Sequence, residues 1–226
     1  MLSNVDILKI QKLFDAIPQS DTGNKPVPDG IVNAEKYASA RLKVLWVLKE
    51  ANDEKDKGEW SFINFLSNGK FKGYPKWKST YSLLLRVMHG VFNEFPEWGA
   101  LPNVDKIDPK IFESMAYINL KKIPGGSRAN PVKITKAYQQ SKELILKQIE
   151  AFKPDVVIFC GMTMHLLSAD LGIEKNAIDK SCKYAHCAKV KSTIYINTYH
   201  PAQRRIKHRV HYEAVMESCK KGLSLS

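Results

Sequence analysis

Four short runs of β-branched and other apolar residues, separated by amphipathic helical segments, constrain the fold of this 226-residue chain most strongly. The helical segments repeat apolar side chains every three or four residues, as in Lys78–Phe92 and Ile134–Phe152. Strands that alternate with helices predict a mostly parallel sheet with helices on both faces. The four predicted strands are Lys43–Leu48, Ser114–Leu120, Asp155–Cys160 and Thr193–Asn197.

These elements predict one α/β domain over residues 1–226, a three-layer α/β/α sandwich with a short, mostly parallel sheet of about four strands. We expect a core at residues 43–215 and an N-terminal helical extension at residues 1–40, because Met1–Pro18 alternates apolar and charged residues. The longest apolar runs reach only strand length, so we expect no membrane-spanning segment. Scattered cysteines favour a reduced protein in the cytoplasm: Cys160, Cys182, Cys187 and Cys219.

The charge balance favours a polyanionic partner. The chain has 35 Lys and Arg against 23 Asp and Glu, a net charge of +12, which indicates nucleic acid ahead of an acidic membrane. The glycine motifs of dinucleotide folds and P-loops and the zinc-deaminase signature are all absent from the sequence. Cys182, His186 and Cys187 could begin a metal site, but their loose spacing favours a plain loop.

Polar and turn-forming residues follow each predicted strand. Because sites in parallel sheets form beyond the carboxyl ends of the strands, we expect these segments to meet at one functional edge. They are residues 50–62, 119–128, 161–163 and 199–205.

Taken in order, these segments resemble the motifs of the uracil-DNA glycosylase superfamily, and most closely its iron–sulfur branch, family 4. The first family motif is G-E-A-P-G, an acidic stretch and G-x-P-F, to which K-E-A-N-D, E-K-D and G-E-W-S-F at residues 49–62 are similar. The second, N-x-x-K-C-x-P-P-x-N-R-x-P, is similar to residues 119–131. The strand K-P-D-V-V-I-F-C-G ending at Gly161 and T-Y-H-P-A-Q-R-R at residues 198–205 follow in the family's order. Each motif is weak alone, but four in series over residues 43–215 are fairly specific.

The resemblance implies a hydrolase that cleaves the N-glycosidic bond of uracil, or of another deaminated or damaged base, flipped out of DNA. It implies that Glu50 positions or activates water and that His200 donates a hydrogen bond to the departing base, which leaves as an anion. Asn119 would read the base edge, because an amide both donates and accepts, and Phe62 would stack on the base. Ala51 and Asn52 would also contact the base. The implied DNA-binding residues are Arg128, Pro201, Gln203, Arg204 and Arg205, with Lys207 and Arg209 as further phosphate contacts.

Several departures from the family pattern bear on cofactor and substrate. Ile123 occupies the place of a cluster cysteine, so we expect no iron–sulfur cluster and no other cofactor. Lys49, Asn52 and Asp53 replace small family residues that let the backbone approach the base. Two alternatives follow. One is a DNA-binding protein that has the glycosylase fold but has lost catalysis, and the other is a nucleoside or nucleotide hydrolase, which the basic surplus disfavours.

Overall fold

The computed structural model describes residues 4–19, 23–53, 59–67, 69–74, 77–126, 128–161 and 163–224. Six strands form one mixed sheet at its centre. They are β1 (Gly30–Ile31), β2 (Val44–Asn52), β3 (Met115–Gly125), β4 (Val156–Cys160), β5 (Ala185–Val190) and β6 (Thr193–Thr198). Their order across the sheet is β1-β3-β2-β4-β6-β5.

The four central strands, β3, β2, β4 and β6, run parallel and correspond to the four predicted strands. The prediction of an α/β fold with a mostly parallel sheet is therefore confirmed. The predicted number of about four strands is wrong, because β1 and β5 add antiparallel edges. Neither edge strand shows a continuous apolar run: β1 has two residues, and β5 places His186 and Lys189 among its small residues.

Strands β2 and β3 continue past their predicted ends into polar sequence. Glu50 pairs in register with Lys121, and Asn52 pairs with Gly125 beyond a β-bulge. Polar side chains end an apolar run in the sequence, but the backbone of both strands goes on pairing. The segments that we expected to be loops after these strands therefore begin as ordered sheet.

Seven helices surround the sheet in the described part of the chain. They are α1 (Asn4–Asp15), α2 (Ala34–Ser39), α3 (Phe62–Ser67), α4 (Trp77–Phe92), α5 (Pro131–Phe152), α6 (Met164–Leu167) and α7 (His208–Ser224). The longest, α5, begins three residues before the predicted start because the side chain of Asn130 accepts hydrogen bonds from the backbone N–H groups of Val132 and Lys133. None of the described helices combines the length and the apolar character needed to cross a membrane.

Apolar side chains fill both faces of the sheet. On one face Trp46, Tyr117 and Ile158 pack with residues of α3, α4 and α7, including Tyr212. On the other face the side chains of the alternate strand positions pack against α5 and α6. The sheet therefore lies between two helical layers. Because β1 falls within residues 1–40, the N-terminal region contributes a strand to the sheet as well as helices.

Candidate functional site

The order of the parallel strands marks one place on the sheet edge. The chain leaves β2 for β3 on one side and later crosses to β4 and β6 on the other side. Connections that leave two neighbouring strands in opposite directions open a crevice beyond their carboxyl ends. By this rule a crevice is expected at the ends of β2 and β4, next to the predicted site segments.

Asn119 presents the clearest binding group at this edge. Its side chain is buried, and the residue is only 1% exposed. Neither its carbonyl oxygen nor its amide nitrogen has a hydrogen-bond partner among the described residues. Leaving such groups buried and unpaired costs about 1–3 kcal/mol each, so they indicate a missing partner. An amide offers one acceptor and two donors, which suits a ligand edge that carries both kinds of group.

A buried charged network holds the backbone at Asn119. Its N–H donates to Asp29 at 2.8 Å, and the Lys122 ammonium donates to both Asp29 oxygens at 2.8 and 2.9 Å. Gln148 of α5 completes the network: its carbonyl oxygen accepts from Lys122 at 2.9 Å, and its amide donates to Asp29 at 3.0 Å. Burial lowers the pKa of Lys122, although Asp29 opposes that shift. The network ties β3 to α5 and to the segment before β1.

Sequence reasoning missed this network. Asp29 lies in the region that we assigned to a helical extension, and Gln148 lies within an amphipathic helix. Lys122 could have been noticed, because it occupies an inward position in the alternation of β3, where an apolar residue is expected.

Phe62 begins α3 and is buried. Its backbone N–H donates to the carbonyl oxygen of Pro28 at 2.9 Å. Its ring stacks on Tyr117 with centroids 4.6 Å apart and planes 23° apart, and Trp60 contacts it at 4.6 Å. Tyr117 precedes Asn119 by two residues and faces the same side of the sheet. Phe62 therefore lies on the side of β3 that also carries the Asn119 amide, with one ring face covered by Tyr117.

Glu50 is held in place by a lysine and a glycine. Its carboxylate accepts a hydrogen bond from the Lys121 ammonium, and the carboxylate side chain is only 8% exposed. The ammonium also donates to the carbonyl oxygen of Pro124 at 3.2 Å. A Cβ atom on Gly125 would collide with the carboxylate in this position and would displace it. Glu50 is thus a fixed, ion-paired acceptor.

The rest of the first motif adds one buried and one exposed residue. Ala51 is buried within β2, and Asn52 is exposed at its end. Asp53 donates its backbone N–H to the Gly125 carbonyl oxygen at 2.9 Å and accepts a hydrogen bond from the Trp60 indole. The E-K-D segment at residues 54–56 and Gly58 of this motif lie outside the described residues.

His200 follows β6 with a defined tautomer. Its Nδ1 accepts the backbone N–H of Ala202 at 3.1 Å, so a neutral ring has its hydrogen on Nε2. Burial lowers the pKa of His200 to about 4, and the charge of Lys49 acts in the same direction. At neutral pH the ring is therefore an uncharged donor through Nε2.

A second histidine lies behind the first. His211 of α7 is 1% exposed, and its Nε2 lies 2.8 Å from the hydroxyl of Thr198. That hydroxyl donates to the carbonyl oxygen of Tyr184 at 2.8 Å, so it accepts from His211. Burial lowers the pKa of His211 to about 4, with smaller effects of His208 and His200. Sequence patterns gave no sign of this residue, which lies inside an ordinary amphipathic helix.

The predicted DNA-contact residues divide into exposed and internal groups. Arg204 and Arg205 are exposed after β6, and Arg128 is exposed after β3. Pro201 is buried, and the Gln203 carbonyl oxygen accepts the backbone N–H of Arg205 at 2.6 Å, so this side chain braces its own loop. Of the two further basic residues, Lys207 is exposed and Arg209 pairs with Glu213 at 2.8 Å.

The residues that we considered as a metal site, Cys182, His186 and Cys187, do not converge. His186 and Cys187 are neighbours in β5, so their side chains point to opposite faces of the sheet. Among the described residues, no group of three or more His, Cys, Asp or Glu side chains is arranged to hold a metal ion. Cys182 and the other three cysteines are free thiols.

Comparison with known proteins leaves the family open. No protein-family model matches the chain. No curated protein sequence matches it significantly either. The functional argument therefore depends on the geometry at the carboxyl edge of the sheet.

Proposed function

We propose that this protein is a DNA glycosylase of the uracil-DNA glycosylase type, which hydrolyses the N-glycosidic bond of uracil or another deaminated or damaged base flipped out of DNA. The observation that carries the proposal is the buried side-chain amide of Asn119, with both polar atoms unpartnered among the described residues. The edge of uracil offers an N–H donor between two carbonyl acceptors. A buried amide on a backbone that the Asp29–Lys122 network holds is suited to recognise that pattern.

His200 supplies the group that favours departure of the base. When the glycosidic bond breaks, its electron pair moves onto the base, and negative charge grows on a carbonyl oxygen. The Nε2–H of a neutral His200 stabilises that charge by a hydrogen bond without giving up its proton. The hydrogen bond from Ala202 to Nδ1 supports this role because it fixes the donor on the other nitrogen.

Glu50 acts on the attacking water and on the sugar. Its carboxylate, held by Lys121, accepts a hydrogen bond from the attacking water, and its negative charge favours the positive charge that grows on the sugar. Because no step of this reaction needs a metal ion or an organic cofactor, the proposal includes neither.

The fold and the charge agree with this proposal. A parallel core in the order β3-β2-β4-β6, covered by helices on both faces, suits the three-layer sandwich of the glycosylase superfamily. The net charge of +12 and the exposed side chains of Arg128, Arg204 and Arg205 favour DNA as the partner. Free cysteines suit a reducing compartment, and we propose the cytoplasm.

The test is excision from end-labelled oligonucleotides that carry uracil, hypoxanthine or xanthine, followed by alkaline cleavage of abasic sites. We expect excision by the wild type and a loss of about a hundredfold to a thousandfold in rate for His200→Ala, with DNA affinity unchanged. His186→Ala, a histidine in the edge strand β5, is the matched control and should keep full activity. Full activity of His200→Ala would move the reaction elsewhere.

A second candidate is a DNA-binding protein that has lost catalysis. The observation that favours it is the first motif, where Lys49 and Asp53 replace small residues and Glu50 is largely buried in an ion pair. This candidate predicts salt-dependent DNA binding by the wild type without excision of any tested base.

A further inference from the structure

Lys49 lies across the end of the neighbouring strand. Its side chain passes over Gly161, where a Cβ atom would come within 2.6 Å of Lys49 Cε and 3.0 Å of its Nζ. Gly161 has a φ of +78°, which also favours glycine. Cys160 pairs with Thr198 in register, so Gly161 lies beside the segment that carries His200. The lysine therefore extends from β2 over β4 toward the end of β6.

Among the residues that the structure describes, no acidic side chain pairs with the ammonium of Lys49. The two lysines on the neighbouring strand β3 do have acidic partners: Lys121 pairs with Glu50, and Lys122 pairs with Asp29. Within the described ranges, Lys49 makes neither an ion pair nor a hydrogen bond. Its charge nevertheless affects two neighbours: it adds to the effect of burial in lowering the pKa of His200, and it opposes burial at Cys160. A half-buried ammonium beside a neutral donor is suited to bind an anion.

We propose that Lys49 and His200 together form a two-donor anion site that carries the negative charge of the departing base, which makes Lys49 a further catalytic residue. This inference rests on the proposed function. The bond between C1′ of the sugar and the base nitrogen breaks, and its electron pair stays on the base. The oxygen of water bonds to C1′, and the proton that water loses ends on the base as it is released. Lys49 and His200 hold the base while it is anionic.

The same donors would also suit a DNA phosphate, so the test must separate these two anions. A group that stabilises the departing base acts only as the bond breaks and leaves affinity unchanged. A phosphate contact acts before the chemical step, and its loss weakens binding and reduces the salt dependence.

The first experiment needs no catalysis. NMR titration of the His200 ring in the wild type, Lys49→Met and Lys49→Arg measures whether the ammonium lies beside it. We expect the pKa of His200 to rise above about 4 in Lys49→Met, while burial, the larger cause, keeps it below its ordinary value, and to stay unchanged in Lys49→Arg. Lys110→Met, which removes an exposed lysine before β3 at the opposite edge of the sheet, is the matched control. An unchanged pKa of His200 in Lys49→Met overturns the proposal.

The second experiment compares excision of uracil with that of 5-fluorouracil, whose anion is a better leaving group. Under single-turnover conditions Lys49→Met should slow uracil excision by about a hundredfold or more and 5-fluorouracil excision much less, at unchanged DNA affinity. Equal losses on both bases with weaker binding would assign Lys49 to a phosphate and refute the proposal. A wild type that excises neither base refutes the proposed function itself. In that case, titration of His200 with inorganic phosphate decides whether the anion site exists without the reaction.

Discussion

The buried ion pair of Asp29 and Lys122 allows the sharpest test of how the candidate site is built. Both side chains are 0% exposed, and Lys122 donates to three acceptors: the two Asp29 oxygens and the Gln148 carbonyl oxygen. Lys122→Met removes the charge and these hydrogen bonds but keeps a long apolar stem. It leaves Asp29 buried with only the N–H of Asn119 and the amide of Gln148 as donors.

The cost of that change follows from the burial. Removing one partner of a buried pair costs about 3–5 kcal/mol, because the remaining charge is uncompensated. Domains of ordinary stability have about 5–15 kcal/mol in total, so the loss is a large share. An exposed pair behaves differently. Lys25 and Glu59 lie 3.0 Å apart with side chains 50% and 67% exposed, and Lys25→Met should cost about 0–1 kcal/mol.

The assay is urea unfolding of the wild type, the two single lysine variants, Asp29→Asn and the double variant Asp29→Asn/Lys122→Met. In the double variant a neutral amide replaces the carboxylate, so the loss should be smaller than the sum of the two single losses. The unfolding midpoints should change while the dependence on urea stays the same. If Lys122→Met costs no more than Lys25→Met, or if the double variant is fully additive, the network does not hold β3 as described.

Further predictions concern the reaction, DNA binding and pH. Under the proposed function, Asn119→Ala should reduce discrimination between uracil and cytosine in excision assays, because it removes the amide that we propose reads the base edge. Gly125→Ala should slow excision with little loss of DNA affinity, because its new Cβ displaces the Glu50 carboxylate. Arg204→Ala should weaken binding and lower the slope of log K against log salt by roughly 0.9 in oligonucleotide titrations at several salt concentrations. The free energy of unfolding should fall as the pH drops from about 6.5 to about 4. In this range the unfolded chain binds a proton at His211, whereas the buried ring of the native chain does not. The loss of unfolding free energy from His211 should approach about 3 kcal/mol. His211→Gln should remove that share of the pH dependence of the unfolding free energy.

The central sheet could be predicted from sequence because its four parallel strands are buried on both faces. Continuous apolar runs identify such strands, and β4 and β6 extend to within one residue of their predicted bounds. The same criterion misses strands whose stability comes from pairing alone. Strand β1 is too short for a pattern, and the polar ends of β2 and β3 are held by each other.

The candidate site was predictable only where a residue type indicates a chemistry at a strand end. Asn119 and His200 were both expected at this edge. His200 follows the end of β6, whereas Asn119 lies inside β3, paired in register with Leu48. There was no such indication in the sequence for three other residues, because each forms its hydrogen bonds with residues distant in the chain. They are Asp29, Gln148 and His211. Lys49 was noticed as a departure from a family motif, but its position across Gly161 depends on how β2 and β4 are aligned.

The short N-terminal strand β1 also affects how the chain is protected while it folds. The outer edge of β3 is covered by the segment around β1: Val27 donates its N–H to the carbonyl oxygen of Lys122, Val32 donates to that of Met115, and Asp29 accepts from Asn119. That segment leaves the ribosome before β3 and finds its partner only after α3 and α4 have been synthesised. Until the two pair, the β1 segment and the outer edge of β3 both have open backbone hydrogen-bonding groups. An unpaired strand edge is a template for association with another chain. Removal of residues 1–32 should therefore promote aggregation. Although β1 has only two residues, its loss would uncover the outer edge of β3, a strand of 11 residues.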